Sequence, residues 1–324
     1  MPTLYPLRFD PIFRRYLWGG RKLATELGKP IGDEETCAES WELCDLPEDQ
    51  TLVAHGSLAG QSLGQIVRDH GEELFGRTGT LEKFPLLVKF LDARHALSVQ
   101  VHPNDHQASR LDPPSFGKTE AWVILDAEPG SLVYAGVKRG FDRHAFEREV
   151  ARGTCELCLA SFEPRPGDCI FLPAGVVHAL GAGLLLAEIQ QTSDITYRVY
   201  DWNRVGPDGQ PRELHIEAAL DVIDFERGPV TAQPPQPTGR EHVSRLVECD
   251  KFILDRLEIG EPCTIGGDDR FHILVVLCGS IRVQGDPSEL PLAKGHSMLV
   301  PAAAGEVKLE PQGACVLIDA YLPL

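Results

Sequence analysis

"GDCIFLPAGVVH", residues 167–178, reads as a turn, a strand and a corner that closes on a histidine. Gly167 supplies the backbone freedom of a tight turn, and Cys169–Leu172 is an apolar run of strand length. Pro173 and Gly175 then form a second corner, which aims His178 into the interior that the strand helps to enclose. The frame recurs. Residues 295–306, "GHSMLVPAAAGE", again read Gly, five residues, Pro and a small-residue corner, with Glu306 at the offset of His178. Such a return points to two copies of one β unit. The different closing residue predicts that only the first copy carries chemistry.

The surroundings agree. Runs such as "FPLLVKFLD", "EAWVILD" and "FHILVVLCGSIRV" are short, β-rich and punctuated by 31 glycines and 25 prolines, a pattern of antiparallel sandwiches or barrels. Helical signals are few and lie in the N-terminal part. Ser62 and Gln65 have capping-box spacing ahead of "IVRDHGEELFG", and "FDRHAFEREVARG" has Asp142 as an N-cap and Gly153 as a stop. "GPVTAQPPQPTG", residues 228–239, lacks an apolar period and reads as an extended linker. The expected division is therefore a catalytic, metal-binding unit over 1–228, a Pro-rich linker over 229–239, and a metal-free barrel over 240–324.

With 324 residues, 43% hydrophobic and 24% charged, the chain has the composition of an ordinary globular protein. Its formal charge of −17 argues against nucleic acid and anionic membranes as partners. An anionic substrate would need cations gathered into a pocket. Nine cysteines lack a disulfide spacing, and the lone Cys155–Cys158 pair has no second pair to complete a zinc knuckle, so all nine are expected to be reduced thiols. The N-terminus is interrupted by prolines and charges, and no apolar run approaches a membrane span, so the expected location is cytoplasmic.

In "SVQVHPND", residues 98–105, strict alternation places Ser98, Gln100 and His102 on one strand face and Val99 and Val101 on the other. Alone, that polar face is an ordinary solvated one. The 167–178 stretch, however, fits G-x5-P-x-G-x2-H and so resembles the second signature motif of the cupin barrels. That resemblance implies a mainly β fold of two cupin-type jelly-roll barrels, with a few helices inserted in the N-terminal part. A histidine pair and a carboxylate then belong on the preceding strands, and the candidates are Gln100 and His102, followed by Glu120 in "GKTEAWVIL". Two imidazoles and a carboxylate converging inside a barrel would each carry a desolvation cost unless a metal satisfied them. Zn²⁺ suits His102, Glu120 and His178, with Gln100 adding an oxygen and room left for substrate.

"FPLLVKFLDARHALSVQVHPND", "GKTEAW", "PAGVVHALG", "QQTSDITYRVYDWNR", "YLWGG" and "AESWEL" together resemble the type I mannose-6-phosphate isomerases in their short bacterial form. The resemblance implies a zinc-dependent aldose–ketose isomerase acting on a small sugar phosphate, with His102, Glu120, His178 and Gln100 as ligands and Arg198 as the catalytic arginine. Lys118 shares the strand face of Glu120 and is the candidate substrate-binding cation, with Lys89 a further one; each could equally be an ordinary solvated lysine. The lesser alternative for Arg198 is a surface ion pair with Asp194 or Asp201. The proton-carrying base stays open among Glu188, Asp194, Asp201 and a metal-bound hydroxide. Two other functions fit less of the sequence: an Fe(II) cupin dioxygenase, using the same two histidines and carboxylate, and a non-catalytic two-barrel sugar-binding protein.

Overall fold

The computed structural model describes residues 4–33, 36–206 and 209–324. Both copies of the repeated frame begin with a strand, Cys169–Leu172 in one half and Ser297–Val300 in the other. His178 opens the strand His178–Leu180, and its counterpart Glu306 opens Glu306–Pro311. All strand pairings in both halves are antiparallel, as the alternating short runs required.

In the first half a seven-stranded sheet runs in the order Ala232–Gln233, Cys169–Leu172, Glu120–Ala127, Leu184–Gln191, Leu86–Ala93, Glu39–Leu43, Ile12–Arg14. It faces a five-stranded sheet ordered Leu159–Phe162, Val133–Val137, His178–Leu180, Val99–Val101, Tyr197–Tyr200. Trp122, Ile170, Leu172 and Leu186 from the larger sheet meet Val133, Ala135 and Leu180 from the smaller in one buried cluster. The second half repeats this with six- and four-stranded sheets around Leu257, Leu274, Met298, Val307 and Leu309.

The helices close the outer faces. Leu63–Phe75 carries the full Ser62–Gln65 capping box, and its apolar side (Ile66, Val67, Leu74, Phe75) is buried with residues from the outer faces of both large sheets. The two halves therefore share a core. Arg143–Arg152 starts on the Asp142 side chain and stops at Gly153 in the left-handed conformation, as its sequence indicated. The Pro-rich segment is extended and paired at both ends. Ala232–Gln233 joins Cys169–Leu172, and Gln236–Pro237 joins the edge of the other large sheet at Val243–Glu248. All nine cysteines are unpaired and six are buried. Among the described residues no helix is long and apolar enough to cross a membrane.

The registers show what the second half holds at the position of the first half's polar centre. Leu172 pairs with Glu120, and the equivalent Val300 pairs with His272. Across the next strands the first half places Glu188 and Lys89, and the second half Asp319 and Asp255. These second-half groups neutralise one another. His272 bonds Asp319 (Nδ1, 2.9 Å) and Asp268 (Nε2, 3.1 Å), Arg270 also holds Asp268, and Tyr321 donates to Asp255, which Arg245 grips. Among the described residues none of these groups has a buried polar atom left without a partner.

Burial alone would favour neutral His272, but Asp319 and Asp268 outweigh it and lift the imidazole from 6.5 to about 9. A raised folded-state value gives stability that is complete below 6.5 and lost as pH climbs through about 9. We expect His272→Gln to cost about 2–3 kcal/mol of unfolding free energy at neutral pH. The wild-type advantage should shrink toward zero in denaturant titrations above pH 9. A pH-independent difference would show that packing, not the charge, is what the substitution removes.

Candidate metal and substrate site

Three side chains meet where the two sheets of the first half face each other. The corner after Leu172 places one of them. Gly175 sits at φ +89°, a conformation L side chains rarely adopt, and its N–H donates to His102 O at 2.9 Å, so this corner is tied to the end of the "SVQVHP" strand. His178 then lies directly across from Gln100, and Gln100 across from Arg198, in one cross-strand row. The facing sheet contributes Glu120 and, across from Trp122, the pair Glu188 and Lys89.

One ligand atom each of His102, Glu120 and His178 lies within 4.8 Å of the others, and all three residues are buried. Glu120 Oε1 is 3.2 Å from His178 Nε2, and Oε2 is 3.6 Å from His102 Nε2. Each imidazole donates from Nδ1 to a main-chain carbonyl, His102 to Ile195 O at 2.8 Å and His178 to Val176 O at 2.9 Å. That leaves both Nε2 lone pairs facing the cluster, the arrangement of metal-ligating histidines. Burial holds both rings neutral, His102 well below its ordinary value and His178 at about 4. Burial, with Glu188 nearby, pushes the Glu120 carboxyl up to about 8, and its Oε1 has no hydrogen-bond donor. Two neutral imidazoles and a carboxylate oxygen short of a donor fit a divalent cation. The amide of Gln100 is 3.4 Å from His178 Nε2, within reach of the same point.

Beside this cluster lies a cavity of about 290 Å³ whose lining includes Gln100, Lys118, Lys89, Glu188, Arg198 and Arg212. Lys118 Nζ bonds Glu120 Oε2 at 2.6 Å and His102 Nε2 at 3.2 Å. Lys89 is buried over the Trp41 ring, 3.6 Å from Glu39 and 3.7 Å from Glu188. Burial would favour the neutral amine, but Glu39 and Glu188 outweigh it and keep Lys89 charged. Neither lysine is a solvated surface residue. Glu188 accepts from Trp122 Nε1 at 2.8 Å; burial alone would raise its pKa, but Lys118 and Lys89 bring it below the ordinary carboxylate value.

Arg198 lines the cavity and donates to Glu213 O at 2.8 Å, while its buried Nε has no partner. Among the described residues no ion pair joins it to Asp194 or Asp201. Asp201 is instead held by Arg204 at 2.5 Å and Arg212 at 2.8 Å and lies outside the cavity lining, whereas Asp194 stands more exposed at the rim, 3.9 Å from Lys89. Glu39, Tyr16, Trp18 and Arg212 also line the cavity and were not singled out from the sequence. The first three sit inside "AESWEL" and "YLWGG". Arg212, in "GQPRELH", had no signal.

A buried His–Glu–His cluster between antiparallel sheets, beside a cavity lined by Lys89, Lys118, Arg198 and Arg212 together with Glu39, Glu188 and Asp194, is the donor set and setting of a cupin-type metalloenzyme. Residues 7–120 match the family described as phosphomannose isomerase type I, catalytic domain, and residues 242–321 match the mannose-6-phosphate isomerase cupin domain. The chain belongs to the type I phosphomannose isomerase family. It is 33% identical to the mannose-6-phosphate isomerase ManA of Bacillus subtilis, over 97% of this chain and 99% of that protein. It is 32% identical to the mannose-6-phosphate isomerase of Streptococcus mutans, over 91% of this chain and 92% of that one. The crystal structure of the mannose 6-phosphate isomerase from Bacillus subtilis superposes with a TM-score of 0.89 at 29% identity, covering 98% of this chain and 100% of that chain.

Proposed function

We propose that the protein interconverts D-mannose 6-phosphate and D-fructose 6-phosphate, using Zn²⁺ held by His102, Glu120 and His178 with Gln100 as a fourth ligand. The observation that supports this most is the buried Glu120 carboxyl group, with Oε1 unsatisfied beside His178 Nε2 and Oε2 facing His102 Nε2, next to a cavity that gathers four cations in an otherwise acidic protein. When bound, the ion supplies a Lewis acid for the carbonyl and hydroxyl oxygens at C1 and C2 of the sugar. The chain's own residues do the rest. Glu188, kept ionised by Lys118 and Lys89, takes the C2 proton of the open-chain aldose and returns it to C1 through an enediol, while the proton of the C2 hydroxyl passes to O1. Lys118 binds the sugar at the metal end. Arg198, in the same cross-strand row as Gln100, faces the charge that develops on the enediol oxygens. Arg212, oriented by Asp201, supplies a fixed cation for the phosphate.

Each sheet pair is read as one jelly-roll barrel, with 1–228 as the catalytic unit, 229–239 the linker and 240–324 the metal-free unit. Unpaired cysteines support a reducing, cytoplasmic setting. Family membership favours the isomerase over the dioxygenase and the non-catalytic binding protein.

Kinetics of Arg198→Lys tests the division of labour. A lysine keeps the charge and loses the planar fork, so kcat should fall at least about tenfold, with a smaller change in KM and full metal content. A rise in KM at unchanged kcat would move Arg198 to phosphate binding. No change in either constant would remove it from the site.

A further inference from the structure

Residues 103–118 leave His102 and return at Lys118 and Glu120, so their conformation sets how these groups face each other. Lys118 N–H closes the excursion by donating to Pro103 O at 3.0 Å, and the Asp105 carboxylate completes the closure. Its Oδ1 accepts from Gly117 N–H at 2.8 Å and from Gln191 Nε2 at 2.9 Å. Gln191 Oε1 accepts in turn from Thr119 N–H at 3.0 Å, the residue between Lys118 and Glu120. The approach is tight. A Cβ on Gly117 would lie 2.5 Å from Asp105 N, so only glycine lets the two ends meet.

The other oxygen of Asp105 is held from the second half. Lys251, in the turn between Val243–Glu248 and Ile253–Ile259, places Nζ 2.7 Å from Asp105 Oδ2. Lys251 also pairs with its neighbour Asp250 at 2.8 Å, so it has a partner on its own turn without reaching across. The turn itself is fixed by the shared core, where Phe252 is fully buried. Asp105 thus has Gly117 and Gln191 of the catalytic half on one oxygen and a cation of the second half on the other.

We propose that the second half serves the reaction through this contact: Lys251 is a positioning residue that, by anchoring Asp105, fixes the segment presenting Lys118 and Glu120 opposite His102. The inference rests on the isomerase reading of the site. A half-exposed ion pair contributes little to stability, about 0–1 kcal/mol. Positioning is a stricter demand, because small displacements of catalytic groups cost far more in rate than in stability.

The test is steady-state kinetics and amide hydrogen exchange on the full metal-loaded protein with Lys251→Ala, Lys251→Arg and Asp250→Ala. For Lys251→Ala we expect kcat to fall about five- to tenfold with KM within twofold, together with exchange about tenfold faster over residues 105–119. Lys251→Arg should restore both, and Asp250→Ala should leave both unchanged. Raised ionic strength should lower kcat of the wild type and not of Lys251→Ala. Wild-type kcat and exchange in Lys251→Ala would overturn the inference. A loss that Lys251→Arg does not restore, accompanied by lowered thermal stability, would overturn it equally by showing a merely structural contact. Failure of the isomerase reading is distinct, since the wild type itself would then be inactive on mannose 6-phosphate.

Discussion

Replacement of His178 by alanine is expected to abolish divalent-metal binding and to lower isomerase turnover by about a thousandfold or more. The His178 ring is fully buried, its Nδ1 is committed to Val176 O, and its Nε2 is 3.2 Å from Glu120 Oε1. Truncation leaves His102 and Glu120 as the remaining strong donors, too few to hold the ion firmly. The fold should survive, since the polar ring contributes to a cluster rather than to the apolar core. Metal analysis of the purified variant, followed by a coupled assay, reads both effects. Glu306→Ala is the matched control: Glu306 has the same place in the repeat but is exposed, and its loss should change neither metal content nor rate. Full metal occupancy in His178→Ala would refute the ligand assignment.

The second large effect is expected at Glu188. Glu188→Gln keeps the size of the side chain and an acceptor for Trp122 Nε1, but it cannot take a proton. We expect kcat to fall by about 10²–10⁴-fold with metal retained. Lys89 and Lys118 lose one of their counter-charges in this variant, so thermal stability should be measured alongside. A kcat within tenfold of wild type would transfer the proton-carrying role to another group, with Asp194 at the cavity rim next in line.

What could be read from the chain followed from local rules. The repeated Gly-x5-Pro frame, the caps at Ser62 and Asp142 and the stop at Gly153 depend on residues a few positions apart, and the structure contains each of them. The alternation in "SVQVHPND" predicted one strand face carrying Ser98, Gln100 and His102; the strand covers only Val99–Val101, with His102 just past its end, yet Gln100 and His102 both reach the cluster around His178. Lys118 and Glu120 do touch, although the strand begins only at Glu120 and Lys118 reaches it from the preceding segment, not from a shared strand face.

Long-range pairing was not legible. Whether Lys89 is solvated or buried depends on Glu39 and Trp41, half a domain away in sequence, lying beside it in the sheet. Asp201 looked like a possible base because its neighbours in sequence do not reveal that Arg212 will fold back onto it. The Pro-rich segment gave no sign of its pairing with both large sheets, since proline-rich composition specifies extension and not a partner. The His272 network has no local sequence signal for a related reason: it is assembled from separate strands, and only the register shows that it takes the place of the first half's polar centre.

Metal-dependent isomerisation at the His102–Glu120–His178 cluster is most directly tested by one titration. Protein stripped of metal with a chelator is assayed for conversion of mannose 6-phosphate to fructose 6-phosphate while Zn²⁺ is added back. Stripped protein should be inactive, and activity should rise linearly and saturate at one ion per chain. Full activity in the stripped protein, or no conversion at saturating zinc, would contradict the account.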